Sequence, residues 1–346
     1  MGDDGPMSQV ALLINPAARQ GRAASQVDRV LVRLREHGVE PLVLDSSSAE
    51  VARTAAHHAV AAGVERIVAF GGDGIVHLAA GAVAGTSTVV GVVAGGTGND
   101  AAEALGLTGG SLEDRVDRSL EAPTAVDAIV RVDSDESLSD PSYAVTSCVA
   151  GFPAAVNARA ETMTVPRGPS RYTVATLLEI PTMRPELFRL VLDGEEREER
   201  AAVLVVANTG LFGGGMRICP DAIPNDGLLD VCLVGDVGRF DLLRSFGKVR
   251  TGAHLDHPDV SVHQAAEVRM EAVDADPLVR ADGEPFGSMP CTLAARPGAL
   301  WVAGATTRPP GRASRPGHGE PSRPDHLLRP LRLFLPRRGR GRGSAG

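Results

Sequence analysis

Apolar residues come in short runs, each broken by glycine or polar residues and followed by a stretch with helical spacing. Residues 10–14 read Val-Ala-Leu-Leu-Ile and end at Asn15-Pro16, and the same texture returns at 66–70 and 88–94. Short unbroken apolar runs suit strands buried on both faces. Between the first two, a helix over 23–37 keeps Val27, Val30, Leu31 and Leu34 on one side, and Gly38 ends it. A strand over 39–44, N-caps at Ser46 to Ser48, and a helix over 49–62 closed by Gly63 follow. Strands alternating with helices at this spacing predict a parallel, doubly wound sheet.

The texture changes after a predicted helix over 112–120. Residues 125–132 read as a strand carrying Asp127, and 133–142 is a polar connector. Beyond it strands dominate: 143–149, 187–192, 202–207, 228–234, 266–272, 278–281, 291–294 and 300–302. Helices are expected at 171–179 and 239–251. Asp193-Gly194 and Asp282-Gly283 are hairpin signals. The expected fold is an α/β nucleotide-binding domain with a doubly wound, mostly parallel sheet over 8–132, to which the chain returns near 295–304. A β-rich, sandwich-like second domain would occupy 133–294, with a tail over 305–346.

Chemistry concentrates at two loops. Gly71-Gly72-Asp73-Gly74 follows one buried strand, and Gly95-Gly96-Thr97-Gly98-Asn99-Asp100 follows the next. Glycines allow bare backbone N–H groups to approach an anion at a helix N-terminus. A carboxylate such as Asp73 beside a phosphate calls for a divalent cation between them, so the loop asks for Mg²⁺. Asn99 or Asp100 is placed to cap the helix running to Leu105. In an open parallel sheet both loops emerge at the carboxyl edge, where such folds bind ligands, so the pair is expected to share one nucleotide. Arg19 and Arg22 leave the first strand at the same edge and are candidates either for phosphate contact or for plain surface charge. Taken singly, each loop would also serve as a tight βα turn.

Composition narrows the choice further. The 346 residues suffice for two domains with real cores. Of 35 basic residues only Lys248 is a lysine, so neither loop carries the lysine of a Walker-type phosphate loop. Cys148, Cys219, Cys232 and Cys291 lack metal spacing and read as packed free thiols. No leader opens the chain and no run reaches the length of a membrane span, so a cytoplasmic protein is expected. Charge is uneven: from Ala305 onward ten arginines face only Glu320 and Asp325, while the rest carries 25 basic against 41 acidic residues. That tail, rich in Pro, Gly and Arg, is expected to be disordered. Its segment 327–342 mixes leucines with arginines and could also touch anionic lipid at the inner membrane face.

The ordered set of motifs resembles the diacylglycerol kinase catalytic-domain family, which includes bacterial lipid kinases, sphingosine kinases and ceramide kinases. The similarity covers about 10–302. It rests on Asn15-Pro16, the Gly-Gly-Asp-Gly loop, Gly96-Thr97-Gly98-Asn99-Asp100, Ala207-Asn208 through Gly213-Gly214-Gly215 to Pro220, Asp226-Gly227-Leu228-Leu229-Asp230-Val231, and Asp282-Gly283-Glu284. The resemblance implies a transferase: an ATP-dependent kinase of lipid metabolism and phospholipid biosynthesis. ATP would contact Asn15, Pro16, Arg19, Gly71, Gly72, Asp73, Gly74, Gly96, Thr97, Gly98, Asn99 and Glu284. Asp226 and Glu284, with Asp73, Asp100 and Asp127, match a magnesium network. Asp282 matches the general base, and with Asp73 forms the implied catalytic pair. Many relatives have Thr and Glu where Ile75 and Leu78 stand, and His77 stands where many bacterial relatives have Asn.

The function expected is transfer of the γ-phosphate of ATP to the hydroxyl of diacylglycerol, giving phosphatidate. The alternatives are a kinase for another lipid alcohol such as a sphingoid base, or a nucleotide- or lipid-binding protein with little turnover. An NAD kinase would share the Gly-Gly-Asp-Gly loop, but the Asp226 and Asp282 motifs follow the lipid-kinase order. Partners expected are a lipid substrate presented at a membrane surface and a second copy in a homodimer, with no nucleic acid and no transmembrane segment.

Overall fold

A computed structural model describes residues 10–15, 24–96, 98–132, 142–165, 170–238, 247–273 and 277–307. The first half runs β1 (Val10–Ile14), α1 (Ala24–Glu36), β2 (Leu42–Val43), α2 (Ala49–Ala61), β3 (Arg66–Gly71), α3 (Asp73–Val83), β4 (Val89–Ala94), α4 (Asp100–Ala104), α5 (Leu112–Arg118) and β5 (Pro123–Arg131). The second begins with β6 (Tyr143–Ala144), β7 (Ser147–Gly151), α6 (Phe152–Thr162) and α7 (Ser170–Glu179). It continues with β8 (Glu186–Leu192), β9 (Glu195–Ala201), β10 (Val203–Ala207), β11 (Leu229–Val234) and β12 (Val260–Ala265). It ends with β13 (Glu267–Ala272), β14 (Leu278–Ala281), β15 (Glu284–Ser288) and β16 (Cys291–Ala303).

Alternation along the buried strands sets the layers. Leu12, Ile14, Val68 and Phe70 point to one face, where Val30 and Leu34 of α1 and Val116 of α5 cover them. Leu13, Ile67 and Ala69 point to the other, under Ala52 and Ala56 of α2 and Ala79 and Val83 of α3. With both faces covered, strands β2, β1, β3 and β4 pair in parallel in that order. Because β2 and β3 flank β1 on opposite sides, the strand order reverses there, and the carboxyl edge opens a crevice.

β16 joins this sheet to the rest of the protein. Its end pairs in parallel with β4 through Trp301 and Val302, while its start pairs antiparallel with β13 through Glu267↔Ala294 to Met270↔Cys291. β5 runs antiparallel along it, with the register shifting between Arg296 and Leu300. Sequence reading splits 291–302 into two strands because Arg296-Pro297-Gly298 looks like a break; the residues form one strand with an irregularity. The sheet thus reaches ten strands, ending at β8 and β9, and packs on an antiparallel sheet ordered β12-β11-β10-β7-β14-β15. Phe188, Leu190, Met270 and Leu293 meet Cys148, Leu204, Val206 and Val231 between the two sheets, which is the sandwich core.

Both Asp-Gly hairpins form. Asp193 and Gly194 have φ of 48° and 91°, and Asp282 and Gly283 have 51° and 90°, the paired positive values of a tight primed turn. Several other expectations are corrected. Residues 143–149 divide into β6 and β7, and α6, β9, β12 and β15 were not foreseen. The charged run of β9, Glu-Glu-Arg-Glu-Glu-Arg-Ala, lacks a strand's apolar alternation, because the strand sits at a sheet edge and buries only Ala201. Most of the helix expected at 239–251, residues 133–141 of the connector and the tail from 308 lie outside the described residues. Among the described residues no helix is long and apolar enough to cross a membrane, and all four cysteines are buried free thiols.

Two substitutions test this packing. A Cβ on Gly81, inside α3, would meet nothing within 4 Å, so Gly81→Ala should stabilise by about 0.5–1 kcal/mol. Phe188 is wholly buried between the sheets, and Phe188→Ala should cost about 3–5 kcal/mol. Urea unfolding reads both; a Phe188 loss below ~1 kcal/mol would contradict the sandwich core.

Candidate active site

The two glycine loops touch backbone to backbone. A Cβ on Gly96 would fall 2.4 Å from the Gly72 Cα, and one on Gly72 would fall 2.5 Å from the Gly98 carbonyl oxygen. Only glycine fits at either place, and the Asp73 N–H donates to the Gly98 carbonyl at 3.1 Å. Asn99 closes the second loop on itself, accepting from the Gly96 N–H at 3.1 Å and donating to the Gly96 carbonyl at 2.9 Å. It therefore makes no side-chain cap on α4, which corrects the expected capping role. The cap comes from the other loop: Asp73 Oδ1 accepts the Ala101 N–H at 3.0 Å. Asp100 turns away and accepts the N–H groups of Gly214 and Gly215, both at 2.7 Å.

A cleft of about 500 Å³ opens over these loops. Asn15, Gly72, Asp73, Gly74, Gly96, Gly98, Asp100, Asp282 and Glu284, all singled out from sequence, line it. Gly71 and Asn99 lie within the loops beneath it, while Pro16, Arg19 and Thr97 fall outside the described residues. Two carboxylates are elsewhere. Asp127, on β5, accepts the N–H groups of Gly227 at 2.7 Å and Gly298 at 2.8 Å, tying β5 to two turns. Asp226 is exposed and accepts the Leu228 N–H of its own turn at 3.0 Å. The five acids named from sequence thus divide into a cleft group and a turn group, and among the described residues no three acids, histidines or cysteines stand at metal-binding spacing.

Asp282 is the most tightly held group. Its Oδ1 accepts the Thr146 N–H at 2.8 Å and the Thr146 hydroxyl at 2.6 Å. Its Oδ2 accepts the Val145 N–H at 2.8 Å and lies 2.9 Å from His77 Nδ1. Burial pushes this carboxyl up, but the hydrogen bond and charge of His77, then the bonds from Thr146 and Val145, outweigh it and hold Asp282 below the usual range. Burial pulls His77 down, but Asp282 and then Glu284 outweigh it, so its affinity for a proton is raised. His77 is therefore a buried partner of the Asp282 carboxylate. Ile75 is buried in the core of α3 and Leu78 packs against it, so both departures from the family pattern fill space there.

Thr146, Ser147, Asn157, Arg171 and Arg280 also line the cleft and were missed in sequence. Arg280 donates twice to the Gly283 carbonyl, at 3.1 and 2.9 Å, bracing the turn that carries Asp282. Its position two residues before Asp282 was the one signal available. Asn157 and Arg171 are single polar residues on helices and carry none.

The cleft acids are crowded. Asp73 is raised to about 6, first by burial and then by the charge of Asp100, against bonds from the Ala101 and Asp100 backbone. The native carboxyl then binds its proton more tightly than the unfolded chain, so native stability falls as pH rises from about 4 to about 6. Asp73→Asn should accordingly stabilise the ligand-free protein at pH 7 by about 1–3 kcal/mol, with the gain gone near pH 4. Thermal melts at the two pH values check this; an equal effect at both would contradict it.

With that geometry in place, the comparisons agree. Residues 9–131 match the model of the diacylglycerol kinase catalytic domain, and 146–304 match that of the YegS C-terminal NAD kinase beta sandwich-like domain. A protein named diacylglycerol kinase from Mycobacterium tuberculosis (strain ATCC 25618 / H37Rv) is 35% identical over 299 residues, 86% of this chain and 95% of that one. One of the same name from Bacillus subtilis (strain 168) is 23% identical over 290 residues, 82% of this chain and 92% of that one. The crystal structure of a diacylglycerol kinase from Bacillus anthracis str. Sterne shares the fold, with a TM-score of 0.65 at 19% identity over 86% of this chain and 97% of that one. The chain belongs to the diacylglycerol kinase catalytic-domain family.

Proposed function

We propose that this protein transfers the γ-phosphate of ATP to the free hydroxyl of diacylglycerol, giving phosphatidate. Family membership makes it a kinase acting on an alcohol; the choice of acceptor is the proposal. The observation that carries it is the meeting of both glycine loops and the Asp282 turn on one cleft. The Gly72, Gly74 and Gly98 N–H groups bind the phosphates, with Asn15, Pro16, Arg19 and Asn99 completing the nucleotide side. Asp282 is the base that serves the lipid hydroxyl. General base help of this kind is worth roughly 10²- to 10⁴-fold.

The donor set fits a magnesium ion arriving with the nucleotide. Mg²⁺ is usually held by one or two carboxylates together with substrate phosphates and waters. Asp73 uses Oδ1 for the Ala101 N–H, and Glu284 reaches over Gly74 from the facing hairpin. These two would hold the ion, whose chemistry is to neutralise charge on the transferring phosphate. Asp100, Asp127 and Asp226 serve from further out: Asp100 fixes the 213–215 loop, and the other two fix the turns beside β5. The proposed folding units are the α/β part over 8–132 with the chain returning at 295–304, and the β-rich part over 133–294. The place of work is the membrane face that presents the lipid.

Incubation with radiolabelled Mg-ATP and mixed micelles of diacylglycerol, sphingoid base or other lipid alcohols tests the reading. Label should enter diacylglycerol, and Asp282→Asn should lower the rate about 10²-fold or more. Label in another alcohol alone would change the acceptor, and tight nucleotide binding without transfer to any acceptor would overturn the kinase reading.

A further inference from the structure

Asp282 has no acceptor position left for a lipid hydroxyl. A carboxylate offers about four lone-pair sites, and Val145 N, Thr146 N, Thr146 Oγ1 and His77 Nδ1 take them at 2.6–2.9 Å. Two of these donors are backbone groups fixed by the fold. The Thr146 carbonyl accepts the N–H groups of Asn208 and Thr209 at 2.8 and 3.1 Å, and the Asp282 N–H donates to Ser147 at 3.0 Å. Neither backbone donor can swing aside without breaking the junction of β7, β10 and the β14–β15 hairpin. His77 is held in α3 with only 13% of its side chain exposed and is absent from the cleft lining. One donor remains that has a rotatable hydrogen and belongs to a residue on the cleft: the Thr146 hydroxyl.

We infer that Thr146 relays the proton, its Oγ1 accepting the hydrogen of the lipid hydroxyl while passing its own to Asp282 Oδ1. This rests on the kinase reading and names a group that reading lacks. The balance is simple. The lipid oxygen forms a bond to the γ-phosphorus as the bond from that phosphorus to the bridging oxygen of ADP breaks. The lipid O–H hydrogen moves to Thr146 Oγ1, the former Thr146 hydrogen moves to Asp282 Oδ1, and Asp282 ends as the neutral acid. Thr146 is unchanged in composition. The proton on Oδ1 then returns to solvent through the same hydroxyl after the products leave. The other three donors keep their places throughout, with His77 a positioning residue that holds Oδ2 so that Oδ1 takes the proton.

A competing geometry has Thr146 rotating away and the lipid hydroxyl bonding Asp282 directly. The two differ in what removal of the hydroxyl does. Thr146→Val is near in shape and lacks the relay; direct transfer predicts a vacated Oδ1 and a rate equal to or above that of the unaltered enzyme. The relay predicts a single-turnover transfer rate lower by about 10²-fold, unchanged ATP affinity, and recovery to within a few-fold in Thr146→Ser. Thr146→Ala carries the same expectation should the valine variant not fold. A proton inventory on the unaltered enzyme in H₂O/D₂O mixtures needs no variant: two protons in flight give a curved dependence, and a straight line overturns the relay. A valine variant within about threefold of the unaltered enzyme also overturns it while leaving the kinase reading intact. Absence of transfer by the unaltered enzyme to every lipid alcohol overturns both.

Discussion

The organising constraint is the cage around the Asp282 carboxylate. A buried charge is costly unless hydrogen-bonded on all sides, and the four bonds that satisfy this one come from two places besides its own turn: His77 on α3, and the Val145–Thr146 corner before β7. Satisfying the charge therefore draws the helix of the first glycine loop, the entry to the antiparallel sheet and the β14–β15 hairpin to one point. Positive φ at Asp282 and Gly283 turns the carboxylate inward, and Arg280 braces the turn through the Gly283 carbonyl. The cleft is what lies in front of that point.

A second constraint acts on the opposite wall. The two loops approach so closely that neither Gly72 nor Gly96 has room for a Cβ, and Asp73 and Asp100 fasten them by capping α4 and gripping the 213–215 loop. These acids do structural duty in the fold, and burial together with the charge of Asp100 disfavours ionisation of Asp73. The rise of Asp73 to about 6 records that penalty. Asp127 does comparable work behind the cleft, where its contacts to Gly227 and Gly298 set the turns that let β16 run from one half into the other.

The sequence by itself determined the layered α/β half, because buried strands and one-sided helices announce themselves by period, as Leu12 to Ile14 and Val30 with Leu34 do. It also determined which loops were short of side chains, and both Asp-Gly hairpins, since glycine need and positive φ are local properties. What only the tertiary structure decided was every relation between distant stretches. β9 is legible as a strand only once its edge position is known, and 291–303 as one strand only once β5 and β4 are beside it. His77, Thr146 and Arg280 carry no local mark, because their meaning lies in the carboxylate they face, and the separation of Asp127 and Asp226 from the cleft acids follows from which backbone amides come within reach. Local conformational preference is written residue by residue, whereas the pairing of a buried charge with its donors exists only after the chain has closed on itself.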